Sequence, residues 1–399
     1  MSLPWIPLPD WNPDTVLASP PPTPPAATTS LVTIELIDRM APMAPVPATQ
    51  SRITLQKRPE AEVSPDLTGN GHFLLETNVP IDKDLKDTEC LVKVEYVSLD
   101  PAMRGWLNAT RSYIAPVAIG AVMRAGAVGR IASLPASSEL ARQKQLAVGD
   151  WVSVLGGWQE YAKVQIKEIQ KIPPPNDKVQ PSYYLGALGM PGQTAYWGLF
   201  DVLKIKKGET IVITGAAGAV GSVACQICKI KGLRVIAVAG GPEKCKWLEQ
   251  ELGVDKAIDY KSPTFKQDFK THVGYLDCMF DNVGGDILDY ALGRLKKGAR
   301  IALSGGISVY NDKNPKGLSG VLNLVSQSAL MQGFIVFNYA DKYHIADKDL
   351  QQWVNEGKLK VREHRLVGLD KCVEGLLGLF KGINTGKMIV KIGDDGSKL

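Results

Sequence analysis

Apolar and polar residues alternate in short runs over residues 50–180, with the two-residue period of half-buried β-strands. The runs Phe73–Thr77, Cys90–Val97, Ala127–Ile131, Trp151–Leu155 and Tyr161–Val164 predict strands, and few helical patterns interrupt them. This region reads as a compact β domain, a distorted barrel, with Pro173, Pro174 and Pro175 near its close. The pattern changes over residues 181–345. A helical stretch near Leu185–Asp201 leads into β-branched runs separated by helical segments, the order of a parallel sheet with crossover helices. The expected strands are Thr210–Thr214, Leu233–Val238, Lys256–Asp259, Leu276–Phe280, Arg300–Ser304 and Gly333–Phe337, enough for a doubly wound α/β sheet. Residues 346–399 hold an extended segment through Leu366, a helix over Asp370–Phe380 and a strand over Lys387–Ile392, expected to return to the β domain. Residues 1–49 contain the run Pro20-Pro-Pro-Thr-Pro-Pro25 and no sustained period, so a disordered extension is expected there. Asp10, Asp14, Glu35 and Asp38 argue against a transit peptide, and a start at Met40 or Met43 is an alternative account of the segment.

The junction between the first predicted parallel strand and its helix carries the most chemistry. In Thr210-Ile-Val-Ile-Thr-Gly-Ala-Ala-Gly-Ala-Val-Gly-Ser222 a β-branched strand breaks into a glycine-rich turn that opens a helix. Backbone N–H groups at such a turn point at a dinucleotide pyrophosphate, and small residues let the backbone approach it. Ala216 stands where the usual GxGxxG fingerprint has a glycine, leaving Gly218 and Gly221 for phosphate approach and helix–strand packing. A chain that binds NAD usually carries Asp or Glu at the end of the second strand, to hold the ribose 2′-hydroxyl. Here that strand ends in Ala239-Gly-Gly241 with no carboxylate, and Lys244 follows in the first turn of the next helix. A 2′-phosphate fits such a floor without charge repulsion, so NADPH is favoured over NADH. A solvated surface lysine is the plainer reading of Lys244, which makes the missing acid the stronger argument.

Composition narrows the picture further. A chain of 399 residues with 45% apolar and 22% charged residues has the make-up of a globular protein of two domains. Its net charge of +5 is spread without a basic block, which excludes an obvious nucleic-acid surface. No apolar run reaches the roughly 20 residues of a membrane span, and no secretory core follows the N-terminus. A cytoplasmic protein is expected. Cys90, Cys225, Cys228, Cys245, Cys278 and Cys372 are scattered, and the CxxC pair Cys225/Cys228 falls on the helix after the glycine turn, where buried thiols are expected. None of His72, His272, His344 and His364 sits in a zinc-ligand motif, so no metal site is expected and direct reduction of a plain ketone is disfavoured.

Several motifs in order carry a resemblance. Leu99-Asp-Pro-Ala-Met-Arg-Gly105, Ile119-Gly-Ala-Val-Met-Arg124, Met190-Pro-Gly-Gln-Thr-Ala-Tyr196, Phe280-Asp-Asn-Val-Gly-Gly285, Gly305-Gly-Ile-Ser-Val-Tyr-Asn311, Met331-Gln-Gly-Phe-Ile-Val336 and Asn384-Thr-Gly-Lys-Met-Ile-Val-Lys391 resemble the NADPH-dependent alkenal/one double-bond reductases. That branch of the medium-chain dehydrogenase/reductase superfamily includes leukotriene/prostaglandin reductases and plant alkenal reductases. The resemblance runs from about Ser51 to Ile392 and implies a GroES-like β domain joined to a Rossmann doubly wound sheet. It also implies that Gly218, Ala219, Val220 and Gly221 cradle the pyrophosphate, that Lys244 and Tyr260 meet the 2′-phosphate, and that Thr194, Asn282, Ser304, Phe334, Ile335, Val336 and Asn384 line the rest of the NADPH site. Asn282 stands just past a strand at the carboxyl edge where ligands of open sheets bind.

Reduction of an α,β-unsaturated carbonyl needs no metal, because hydride reaches the β-carbon and charge spreads into an enolate. A hydrogen-bond donor at the carbonyl oxygen suffices. Tyr310 is the candidate, since its phenol, with an ordinary pKa of about 10, is neutral at physiological pH, and the family's tyrosine at this motif lies in the substrate site. A loop tyrosine packed between domains is the alternative. The α-carbon proton is assigned to solvent. Met103 and Arg104 match a family segment near the substrate pocket, but Ala102 replaces a tyrosine common there and Ala121 a glutamate, so an apolar enone or enal is expected without a particular identity. A homodimer is a family expectation. A quinone reductase and a non-catalytic NADPH-binding protein are the competing readings.

Overall fold

Three sheets account for the alternating runs in the computed structural model, which describes residues 43–393. The first is a two-stranded antiparallel ladder of β1 (Thr49–Leu55) and β2 (Phe73–Pro80). β1 is a strand absent from the sequence expectation, because only Ile53 and Leu55 mark an apolar face in it, and both are fully buried. Of the proline-rich extension, residues 1–42 lie outside the described residues. Its last residues are held: Ile81 N–H donates to the Ala48 carbonyl at 3.0 Å and the Lys83 ammonium to the Val46 carbonyl at 2.8 Å.

The second sheet gathers β3 (Glu89–Ser98), β4 (Ala127–Ser133), β5 (Trp151–Val154), β6 (Tyr161–Gln165) and β7 (Gln170–Lys171). The third comprises β8 (Thr210–Thr214), β9 (Arg234–Ala239), β10 (Lys256–Asp259), β11 (Leu276–Asp281), β12 (Leu295–Leu303) and β13 (Leu330–Gly333). All its pairings are parallel, in the order β10-β9-β8-β11-β12-β13. The chain winds outward through β9 and β10 and resumes on the other side of β8 at β11. The strand order therefore reverses between β8 and β11, and the carboxyl ends of these strands open a crevice for ligand. This is the doubly wound α/β sheet expected. Helices Ala219–Ile230, Pro242–Gln250, Phe265–Val273 and Gly285–Leu292 form the crossovers.

The chain then returns. β14 (Glu363–Val367) and β15 (Lys387–Lys391) join the second sheet through an antiparallel pairing of β15 with β3, so this sheet has seven strands drawn from both ends of the described chain. In the parallel sheet two strands differ from expectation by more than a residue. β12 begins at Leu295, because exposed Lys296, Lys297 and Gly298 mask its start. β13 ends at Gly333, where Gly333–Phe337 was the expected strand. Phe334 leaves the ladder to pack edge-on against the buried Phe280, ring centroids 6.2 Å apart, so its apolarity covers the core and not the ladder.

Candidate active site

The glycine turn follows β8, whose five residues are all buried. Gly215 takes φ +57, and a Cβ on Gly221 would lie 2.4 Å from the Gly215 carbonyl oxygen, so the helix Ala219–Ile230 can meet the strand this closely only through glycine. No side chain caps this helix at Gly218, which leaves its first N–H groups free for an anion. Gly218, Ala219 and Val220 are half-buried, while Gly221 is buried beneath them. Ala216 is fully buried and its N–H donates to the Val238 carbonyl at 3.0 Å, a role that needs no glycine.

Beyond β9 the backbone turns through Gly240 and Gly241, the latter at φ +99. Asp259, at the end of β10, steadies this turn by accepting the N–H groups of Gly241 at 2.8 Å and Lys261 at 2.9 Å. The Tyr260 ring covers Gly240 so closely that a Cβ there would lie 2.8 Å from it. Lys244 reaches the same corner, and its ammonium donates to the Gly382 carbonyl at 2.6 Å. Burial lowers its pKa, and the neighbouring Lys261 pushes in the same direction.

The C-terminal segment closes over the turn. Gly386 N–H donates to the Ala217 carbonyl at 2.7 Å, and the Asn384 amide bonds the Gly386 carbonyl at 2.8 Å. One residue on, the Lys387 ammonium is buried and donates to the Leu99 carbonyl at 2.6 Å and to the Asp100 carboxylate at 2.9 Å. This ties the glycine turn to the Leu99–Gly105 segment.

At the reversal point, Asp281 is fully buried and accepts from the Thr214 hydroxyl at 2.6 Å and from Gly284 N–H at 2.9 Å. Burial raises its pKa against the lowering effect of those bonds. Asn282 donates from its amide to the Thr214 carbonyl at 2.7 Å, which fixes its side chain at the strand end. Ser304 N–H and Ser308 N–H donate to the Asp281 and Val283 carbonyls, so the loop after β12 is laced onto the loop after β11.

That lacing carries Tyr310 inward. Its phenol oxygen accepts the Gly306 N–H at 3.1 Å, and a Cβ on Gly305 would sit 3.1 Å from the same oxygen, so the two glycines make room for it. Burial raises the phenol's pKa above its ordinary value. A phenol held neutral, with a lone pair occupied by a backbone donor, keeps its own proton for another acceptor. Around it stands an aromatic wall that sequence reasoning missed. Tyr113 and Phe337, 49% and 43% exposed, face each other with ring centroids 6.0 Å apart. The Trp106 indole N–H donates to the Tyr113 hydroxyl at 3.2 Å. Tyr113 lies in a loop without period, where no sequence signal marks it.

The remaining predicted residues are placed as follows. Thr194 lies on the helix Met190–Trp197, its hydroxyl donating to the Met190 carbonyl. Ile335 and Val336 follow Phe334, and the Val336 carbonyl accepts the Tyr343 hydroxyl at 3.0 Å. The resemblance put Met103 and Arg104 near the substrate; in the structure both are buried. Met103 has no exposed surface and packs in the β-domain core. Arg104, 3% exposed, donates to the side-chain oxygens of Asn311 (2.9 Å) and Asn108 (2.6 Å) and to the Ala61 carbonyl (2.8 Å). It buttresses the residue next to Tyr310. A surface hollow of about 360 Å³, lined by Lys178, Tyr183, Asn355 and Lys360 among others, shares no residue with this site.

Among the described residues no three His, Cys, Asp or Glu side chains converge on a common point. Cys90, Cys225, Cys228, Cys278 and Cys372 are buried, and the His72 ring accepts the Ser64 N–H at 2.8 Å.

Comparison with known proteins agrees with this geometry. Residues 51–172 match the family model "N-terminal domain of oxidoreductase", and residues 219–351 match "Zinc-binding dehydrogenase". The chain is 37% identical to the NADPH-dependent curcumin reductase of Escherichia coli (strain K12), over 77% of this chain and 89% of that protein. It is 36% identical to the NADP(+)-dependent 2-alkenal reductase of Nicotiana tabacum, over 76% and 87%. The crystal structure of CurA from Vibrio vulnificus in complex with NADPH superposes with a TM-score of 0.76 at 37% identity, covering 86% of this chain and 99% of that one. With shared motifs, matching domain models and relatives above 30% identity over most of its length, the chain belongs to the alkenal/one double-bond reductase branch of the medium-chain dehydrogenase/reductase superfamily.

Proposed function

We propose that this protein is a zinc-independent, NADPH-dependent reductase of the carbon–carbon double bond in apolar α,β-unsaturated ketones and aldehydes. The observation that carries the reading is Tyr310: a neutral phenol at the carboxyl edge of the sheet, with its oxygen anchored by Gly306 and an aromatic wall beside it. The uncapped helix at Gly218 and the acid-free end of β9 suit a dinucleotide bearing a 2′-phosphate. Gly218, Ala219, Val220 and Gly221 would hold the pyrophosphate, Lys244 and Tyr260 the 2′-phosphate, and Thr194, Asn282, Ser304, Phe334, Ile335, Val336 and Asn384 the remainder. When bound, NADPH supplies the hydride for the β-carbon.

The protein's part is to position and polarise. Tyr310 donates a hydrogen bond from its hydroxyl to the substrate carbonyl oxygen as negative charge gathers there, keeping its proton, an effect typically worth roughly 10²- to 10⁴-fold. Tyr113, Phe337 and Trp106 cover the apolar body of the substrate and exclude water. Met103 and Arg104 support that wall from behind. The α-carbon proton comes from solvent.

We also propose a homodimer that uses the free edge of β13. Beside that edge Leu322, Val325 and Leu330 are 75%, 76% and 51% exposed, and an open edge can pair with its own symmetry copy. All six cysteines are unpaired, which suits the cytoplasm. Incubation of the purified protein and NADPH with enals, enones and quinones, with products identified by mass, tests the reaction. Saturated carbonyl products are expected. Allylic alcohols, or hydroquinones alone, would refute it.

A further inference from the structure

The corner that receives the 2′-phosphate in this reading contains a second cation. Lys261 directly follows Tyr260, and its ammonium lies 6.0 Å from the centroid of the Tyr260 ring, the ring that covers Gly240. Its backbone is fixed, because Asp259 accepts the N–H groups of both Lys261 and Gly241 and so locks the end of β10 to the turn after β9. Lys244 lies near enough to Lys261 to feel its charge and is tethered to the Gly382 carbonyl. Among the described residues neither ammonium has a carboxylate within ion-pair distance, although sixteen such contacts occur elsewhere in the chain.

The one carboxylate at this turn, Asp259, is engaged by backbone N–H groups, so the two lysines stand without an ion pair among the described residues, an arrangement that suits an anion. The repulsion is felt by Lys244, whose pKa Lys261 helps to lower. A phosphate monoester carries a charge of about −1.5 to −2 at neutral pH and relieves it. Gly240 and Gly241 put no side chain into this corner, and the Tyr260 ring against Gly240 gives the group a wall.

We infer that Lys261 is a specificity-determining residue, the second cation that selects a 2′-phosphorylated nucleotide together with Lys244. The inference rests on the NADPH reading of the same site, and it is tested apart from turnover with two fragments that differ only by the phosphate. Calorimetric titration of the full-length protein with 2′,5′-ADP and with 5′-AMP isolates the contribution of that group. The wild-type protein is expected to bind 2′,5′-ADP more tightly. Lys261→Ala is expected to weaken 2′,5′-ADP about two- to fivefold, within the range of an exposed charge pair, and to leave 5′-AMP unchanged. Lys261→Glu should weaken it further, and Lys261→Arg should restore it. The Michaelis constant for NADPH should rise in parallel while that for NADH stays fixed. Equal losses for both fragments would mark Lys261 as structural, and no loss for either would mark it as a bystander; each overturns the inference. A wild-type protein that binds the two fragments alike would overturn the NADPH reading itself.

Discussion

Replacing Arg104 by methionine tests whether the wall and the phenol are held together from behind. The guanidinium is 3% exposed, has no carboxylate partner among the described residues, and bridges Ala61, Asn108 and Asn311. Methionine keeps much of the packing volume and removes all three bonds. A hydrogen bond from a charged donor contributes about 1.5–3 kcal/mol net. Part of that loss is offset, because a desolvated cation costs several kcal/mol to bury, and because the half-buried acceptors regain water. A net destabilisation of roughly 2–4 kcal/mol follows, or a drop in melting temperature on the order of 4–8 °C. Activity should suffer more than stability. Asn311 is the neighbour of Tyr310, and a displacement of about 1 Å at a reacting group can cost on the order of 10²-fold. Thermal unfolding and steady-state kinetics with an enone make the comparison, and Asn311→Ala should reproduce the kinetic loss with a smaller thermal one. Wild-type turnover and melting temperature in Arg104→Met would refute the reasoning. A raised Michaelis constant for the enone, with unaltered melting and an unaffected Asn311→Ala, would instead make Arg104 a substrate contact.

Tyr310→Phe should lower turnover of enones about 10²-fold or more while NADPH affinity, read by fluorescence titration, stays within about twofold. Because burial raises the phenol's pKa, the donor stays protonated past the ordinary value of about 10, and turnover should show no phenolic decline below that pH; unchanged enone reduction by the mutant would remove Tyr310 from the mechanism. Gly221→Ala puts a methyl 2.4 Å from the Gly215 carbonyl oxygen and 2.7 Å from the Ala216 Cα, backbone that cannot yield, so soluble yield or NADPH binding should collapse. Burial of five thiols, with that of Cys245 pushed up to about 11, predicts slow alkylation by iodoacetamide at neutral pH and retained activity; rapid inactivation with one equivalent would contradict it.

The centre of the parallel sheet was legible because β8 and β9 are buried almost throughout and read as β-branched runs, and β8 and β10 match their expected limits residue for residue. β13 was misplaced by the same logic. Its neighbours Phe334, Ile335 and Val336 are apolar although they lie outside the ladder, Phe334 packing on Phe280, and periodicity does not separate a strand from an apolar loop. The CxxC pair read as buried thiols, and both are fully buried, since the helix that carries them covers the sheet.

By itself the sequence determined the order of the elements, the glycine turn after the first parallel strand and the absence of an acid after the second. These are local properties, set by side-chain period and by the steric demands of a few glycines. The tertiary structure decided what stands beside what. Arg104, expected near the substrate, bonds Asn311, the neighbour of Tyr310 and 207 positions away along the chain. Tyr113 met Phe337 only when loops distant along the chain came together. Hydrogen bonds and ring contacts act over a few ångströms of space, and a linear pattern carries no record of which distant residues will share them.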